Sequence, residues 1–254
     1  MFTKSFRPFI FLFVIVALVS LACGIDWGTS TTEPPVQQPQ QPQPQQPSQP
    51  QPTEPPVQPL DQAEQFFTEE FDQSVDNWSY FLTHGDENAM SLTVDGGYLT
   101  FDLPAEGLWV YTLYDPYTYE DVRIDVRAEN RGDNKNNISL ICRYDEEDGW
   151  YEFNIENTGL YNILYGKWND DMRGASYAKI ADGGSNAIRS GKDVNEYTAI
   201  CKGRTLILFI NGKQVRSVDD NQRVLRSGQI GIGVSSFDRF PVIVDYDWVK
   251  VSQP

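Results

Sequence analysis

The chain has 254 residues, with 36 acidic against 20 basic side chains and a formal net charge of −16. That balance repels phosphate backbones, so nucleic acid is excluded as a partner, and it argues against direct docking on anionic lipid. The single histidine, His84, cannot make a zinc cluster, and no serine or cysteine stands in a nucleophile context that it could serve, so no metal and no cofactor is expected.

At the N-terminus Lys4 and Arg7 precede an apolar run over residues 9–19, and no further charge appears before Asp26. The run is shorter than the ~20 residues of a membrane span and fits the apolar region of an export signal, placed at residues 1–22. It ends in Ser20-Leu21-Ala22-Cys23-Gly24, which resembles the bacterial lipobox and implies lipid on Cys23 after cleavage before it. The alternative, ordinary cleavage after Ala22, would leave an exposed thiol on an exported protein. The expected partner here is the lipid bilayer, reached through Cys23, with the rest of the chain on the extracellular or periplasmic side. Residues 23–60 then form a spacer: 21 of the 30 residues from 31 to 60 are Pro or Gln. Such a segment has too little to bury to offset the entropy of ordering. In an extended polyproline form it reaches on the order of 90 Å.

Residues 61–254 have the composition of one folded domain, long enough for a single sizeable core. Period-two alternation dominates it. Val122, Ile124 and Val126 alternate with Arg123, Asp125 and Arg127. Ile138, Leu140, Cys142 and Tyr144 share one parity, as do Tyr151, Phe153 and Ile155. Ile230, Ile232 and Val234 alternate with Gly231, Gly233 and Ser235. Turns fall between the runs, with Asp95-Gly96-Gly97 early and Asn211-Gly212, a strong hairpin signal, late. About a dozen short strands and no amphipathic helix predict an all-β, two-sheet antiparallel sandwich. Cys142 and Cys201 lie in phase with inward residues of their strands and are expected to form a disulfide, the compartment being oxidising.

Several strings resemble the concanavalin A-like jelly rolls. They are Glu70-Phe71 with Trp78 soon after, Ile141-Cys142-Arg143-Tyr144, Trp150-Tyr151-Glu152-Phe153-Asn154-Ile155 and Gly159-Leu160-Tyr161. Ser227-Gly228-Gln229-Ile230-Gly231 and Val244-Asp245-Tyr246 continue the order, so that the resemblance covers residues 66–251. That superfamily includes laminin-G-like modules, carbohydrate-binding modules, family 16 glycosidases and 3-keto-disaccharide hydrolase domains. It implies two stacked antiparallel sheets, one of them concave, and does not by itself fix a function.

Glu152, Asn154 and Glu156 share one face of a strand, similar to the catalytic strand of family 16 glycosidases. Retaining chemistry needs carboxyls about 5–5.5 Å apart, whereas strand positions four apart are roughly 13 Å apart. Asn154 also stands where a catalytic strand carries Asp. Hairpin parity places Arg143 opposite Glu152 as a cross-strand ion pair. Trp150 shares the polar face, and Trp168 follows in a polar loop. The stretch 109–119, rich in Tyr, reads mostly as edge packing. These residues suggest a sugar laid on Trp150, bonded by Arg143, Glu152 and Asn154, with Trp168 closing the rim. The leading reading is therefore a membrane-tethered, surface-displayed module that binds glycan, cell-wall polymer or another extracellular ligand. A glycoside hydrolase or 3-keto-disaccharide hydrolase-like enzyme is the rival, disfavoured by Asn154. A structural envelope protein without a ligand is the third reading.

Overall fold

A computed structural model describes residues 3–4, 63–133 and 135–254. The export signal, Cys23 and the Pro/Gln-rich spacer lie outside the described residues, apart from β1 (Thr3–Lys4).

The described residues form strands, with one short 3-10 turn at Glu87–Ala89. The first sheet runs in the order β1 (Thr3–Lys4), β3 (Trp78–His84), β6 (Trp109–Tyr114), β15 (Gln229–Ser236), β8 (Asn136–Asp145), β9 (Gly149–Glu156), β10 (Leu160–Trp168), β11 (Ala175–Gly184). The second runs β14 (Lys213–Asp219), β13 (Thr205–Ile210), β12 (Val194–Lys202), β7 (Val122–Asn130), β16 (Val242–Ser252), β5 (Tyr98–Leu103), β4 (Ser91–Asp95), with β2 (Phe67–Glu69) also pairing β16. All pairings are antiparallel except that of β1 with β3.

The alternation read from sequence builds the core between the sheets. Val122, Ile124 and Val126 from one sheet and Ile230, Ile232 and Val234 from the other are all buried in it, with Leu140, Phe153 and Ile155 beside them. Asn211 and Gly212 both have positive φ, 49° and 75°, as a tight hairpin with the twist of its strands requires. Cys142 and Cys201 are joined across the sandwich, their Cα atoms 6.7 Å apart and 59 residues apart in sequence. In the chain-entropy account, closing that loop contributes about 4 kcal/mol.

The Tyr-rich stretch has a more specific task than edge packing. The hydroxyls of Tyr117, Tyr114 and Tyr119 donate to the carbonyls of Ala63, Glu64 and Gln65 at 2.8, 2.8 and 2.6 Å. Three consecutive carbonyls are thus held where the chain enters the domain.

The first sheet curls strongly. In a flat sheet β3 and β11, six strand spacings apart, would be separated by about 29 Å. Instead Thr83 of β3 and Tyr177 of β11 are hydrogen-bonded at 2.9 Å. Phe81 of β3 lies 5.5 Å from Trp168 of β10 between ring centroids, and Trp109 of β6 lies 5.3 Å from Tyr177. A register shift in the β10–β11 pairing, between Ile163 and Leu164, accompanies the bend. The face of this sheet turned away from the main core is therefore concave and folded nearly shut. It encloses a second small core of Tyr111, Ile141 and Trp150.

Candidate functional site

The concave face is read off the strand register. On β9, Trp150, Glu152 and Asn154 point into it; Ile141 and Ser139 of β8 stand opposite Glu152 and Asn154, and Asn137 opposite Glu156. From β15 and β6, Gly233 pairs with Tyr111, and Ser235 with Trp109. Glycines make room for the large rings. A Cβ on Gly166 would come within 2.3 Å of the Trp150 ring, and one on Gly233 within 2.4 Å of the Tyr111 ring. Those two rings lie flat over backbone that carries no side chain.

Glu152 is the centre of this face and is 1% exposed. It accepts hydrogen bonds from the Ser139 hydroxyl at 2.7 Å, Asn154 Nδ2 at 2.9 Å, the Tyr111 hydroxyl at 3.3 Å and Trp150 Nε1 at 3.4 Å. Asn154 in turn accepts from Asn137 Nδ2, and the Tyr111 hydroxyl shares a 3.1 Å bond with that of Tyr177, which reaches Thr83. A polar chain thus crosses from β8 to the seam where β3 meets β11. Burial pushes the Glu152 carboxyl above the usual carboxylate range; the bonds from Ser139, Asn154, Trp150 and Tyr111 pull part of that back. Burial, then the nearby Glu152, pushes the Tyr111 and Tyr177 phenols up, so both keep their protons as donors.

Of the residues singled out by sequence, Trp150, Glu152 and Asn154 do share one face, and Trp168 joins them. Trp168 ends β10 rather than lying in a loop. Its ring packs 6.0 Å from that of Trp150 and its Nε1 donates to the Tyr144 hydroxyl at 2.9 Å. Three geometric expectations need correction. Glu152 and Asn154, expected to bond a sugar, are 1% and 5% exposed and are engaged with each other and with Ser139, Asn137, Tyr111 and Trp150. Trp150 is not an open platform: the curl buries it completely, under Phe81, Tyr144, Trp168 and Tyr177. Arg143 is not on this face and does not pair with Glu152.

The parity argument for Arg143 fails because the β8–β9 register shifts between Cys142 and Asp145. Arg143 takes a left-handed backbone, φ 55°, and its buried guanidinium donates to the carbonyls of Glu120, Gly203 and Leu225, each at 2.7 Å. It also meets Asp121 at 3.3 Å. Arg143 fastens three loops beside the disulfide. The same bulge returns Tyr144 to the concave face, where its ring lies 5.1 Å from Phe81, instead of the main core expected from its alternation.

Sequence reasoning missed Tyr111, Tyr177, Phe81, Tyr144 and Ser139. The glycines at 166, 231 and 233 were the available signal, since an isolated glycine within a strand marks a close approach. Around the sealed centre, Phe81, Trp109, Tyr144, Trp168 and Tyr177 remain partly exposed. A groove of about 370 Å³ adjoins Trp109, lined by His84, Glu106, Gly107, Lys135, Phe237 and Asp238. A larger one, about 790 Å³, opens at the sandwich edge by β3 and β4, next to Asp72, Tyr80, Glu87 and Leu92, away from the concave face. Size does not decide between them: the smaller groove continues the aromatic seam. Among the described residues no group of three or more His, Cys, Asp or Glu side chains could hold a metal ion.

Residues 66–242 match the family model described as a 3-keto-alpha-glucoside-1,2-lyase-like domain. No curated protein matches the chain. Among solved structures, a Bacillus subtilis protein of unknown function with a galectin-like fold superposes with a TM-score of 0.56 at 12% identity, covering 74% of this chain and 94% of its own. A Bacteroides ovatus family 16 glycoside hydrolase, solved with a mixed-linkage glucan product, gives 0.53 at 12% identity, covering 73% and 99%. A lichenase from a mouse hindgut metagenome gives 0.53 at 16% identity, covering 74% and 99%. At these identities the superpositions establish the jelly-roll fold.

The raised Glu152 carboxyl has a consequence for stability. The folded chain holds this proton more tightly than the unfolded one, whose carboxyl titrates near 4.5. The contribution is therefore full below pH 4.5 and falls as pH rises from there towards the folded-state value. Chemical denaturation of wild type and Glu152→Gln across that range should show the difference in unfolding free energy moving in favour of the Gln variant as pH rises. A constant difference would contradict the assignment.

Proposed function

The chain belongs to the 3-keto-alpha-glucoside-1,2-lyase-like domain family, and from that premise we propose that its domain binds a neutral glycan along the seam of the first sheet. The observation that carries this reading is the set of five rings, Phe81, Trp109, Tyr144, Trp168 and Tyr177, left partly exposed on a face outside the main core. Sugars offer apolar C–H faces to flat rings and hydroxyls to fixed polar groups, and sites of that kind combine a hydrophobic lining with a few placed donors and acceptors. Trp168 is held for this by its bond to Tyr144, and Tyr177 by its bonds to Thr83 and Tyr111. The net charge of −16 favours a neutral over an anionic polymer.

Binding is favoured over catalysis at Glu152. The carboxyl is shut under Trp150 and already fully engaged, and Asn154 stands where a catalytic strand carries its central Asp. Arg143, engaged with three carbonyls, is unavailable to a ligand. The leader and spacer complete the reading: lipid on Cys23 tethers the chain to the membrane, and residues 23–60 hold the domain away from it on the extracellular or periplasmic side.

Two experiments test these parts separately. On a glycan array, wild type should retain neutral oligosaccharides, and Trp168→Ala should lower affinity for the best of them at least tenfold, with Tm lower by no more than about 4 °C. Unchanged affinity would remove the seam from the site. For the tether, metabolic palmitate label should follow the protein in its bacterial host and vanish in Cys23→Ala; label that persists would refute lipidation at Cys23.

A further inference from the structure

The groove beside Trp109 is built differently from the seam it adjoins. Its walls are two rings set nearly at right angles, Trp109 and Phe237, with centroids 6.5 Å apart and planes inclined by 71°. Its mouth carries His84, Glu106, Lys135 and Asp238. Trp109 is shared, for its other neighbour is Tyr177 of the seam at 5.3 Å. The groove and the seam are therefore one continuous aromatic track.

Charge narrows what can lie there. Lys135 is paired with Asp238 at 2.5 Å, and the hydrogen bond from Lys135 holds the Asp238 carboxyl below its ordinary range. That leaves Glu106 as the unbalanced charge of the lining, inside an acidic domain. A carboxylate or phosphate at this end would be repelled, while hydroxyls can donate to Glu106 and Asp238 and accept from Lys135.

We infer that the Trp109–Phe237 groove is a second saccharide subsite, which takes a neutral pyranose unit of the same chain that lies on the seam and so makes binding depend on chain length. This rests on the glycan reading above. Affinities of cellotetraose, laminaritetraose and maltotetraose, with the corresponding disaccharides, are measured by calorimetry on wild type, Phe237→Ala, His84→Gln and Trp168→Ala. The expected result is that Phe237→Ala weakens the preferred tetrasaccharide at least fivefold and leaves its disaccharide unchanged, while Trp168→Ala weakens both. His84→Gln, at an exposed position, must show the same split as Phe237→Ala, which keeps the test decisive if the phenylalanine variant folds poorly. Equal losses for both lengths, or no loss for either, overturn the subsite and leave the seam standing. If wild type binds neither these sugars nor any neutral oligosaccharide of the array, the glycan reading itself fails and the subsite fails with it.

Discussion

The contact across the first sheet from its second strand to its last, Thr83 on β3 with Tyr177 on β11, is the constraint from which the rest of the site follows. A sheet of these strands laid flat would keep those residues about 29 Å apart, and the face bearing Glu152 would be an open platform. Curled until β3 and β11 meet, the same face becomes an enclosed polar centre under a roof of rings. Two features of the chain permit the curl: glycines beneath Trp150 and Tyr111, and the irregular register between β10 and β11. The rings that cannot be accommodated inside are displaced to the seam, and those are the ones a ligand can reach.

Enclosure also explains why a carboxyl can persist there. A buried ionisable group without partners would cost several kcal/mol, on the order of what a small domain has in total. Glu152 avoids this by accepting from four side chains and by holding its proton more tightly than a free carboxyl does. The same bonds fix the orientations of Tyr111 and Trp150, and through Tyr111 that of Tyr177. On the proposed reading, the polar centre would act on a glycan indirectly, by setting the geometry of rings on the surface. Arg143 does an equivalent job at the opposite end of β8, tying three loops against the disulfide.

The sandwich was legible in the sequence because its signals are local. Alternation at residues 122–126 and 230–235, the Asn211-Gly212 turn and the in-phase Cys142 and Cys201 each report one strand's face, and the sheets obey them. Around the candidate site, only the shared face of Trp150, Glu152 and Asn154 on β9 was legible, and not its burial. Arg143 was misplaced because a single bulge reverses parity for everything beyond it, and nothing in Ile141-Cys142-Arg143-Tyr144 marks the insertion. Trp150 was misjudged for a different reason. Its burial depends on β3 and β11, nearly a hundred residues apart in sequence, meeting over it. Phe81, Tyr111 and Tyr177 were invisible on the same account, since their shared role comes from curvature that no window of sequence contains.

The central claim is the proposal that a neutral glycan meets this protein on the rings at the seam. Its most direct test is the indole N–H region of a proton–nitrogen correlation spectrum, with the tryptophans assigned by single substitution, as a neutral oligosaccharide is titrated in. The account predicts progressive shifts for Trp168 and Trp109, a smaller one for Trp150 beneath them, and none for Trp78 in the main core or Trp248 on the second sheet. Shifts confined to Trp248, or saturable binding that leaves Trp109 and Trp168 unmoved, would contradict it.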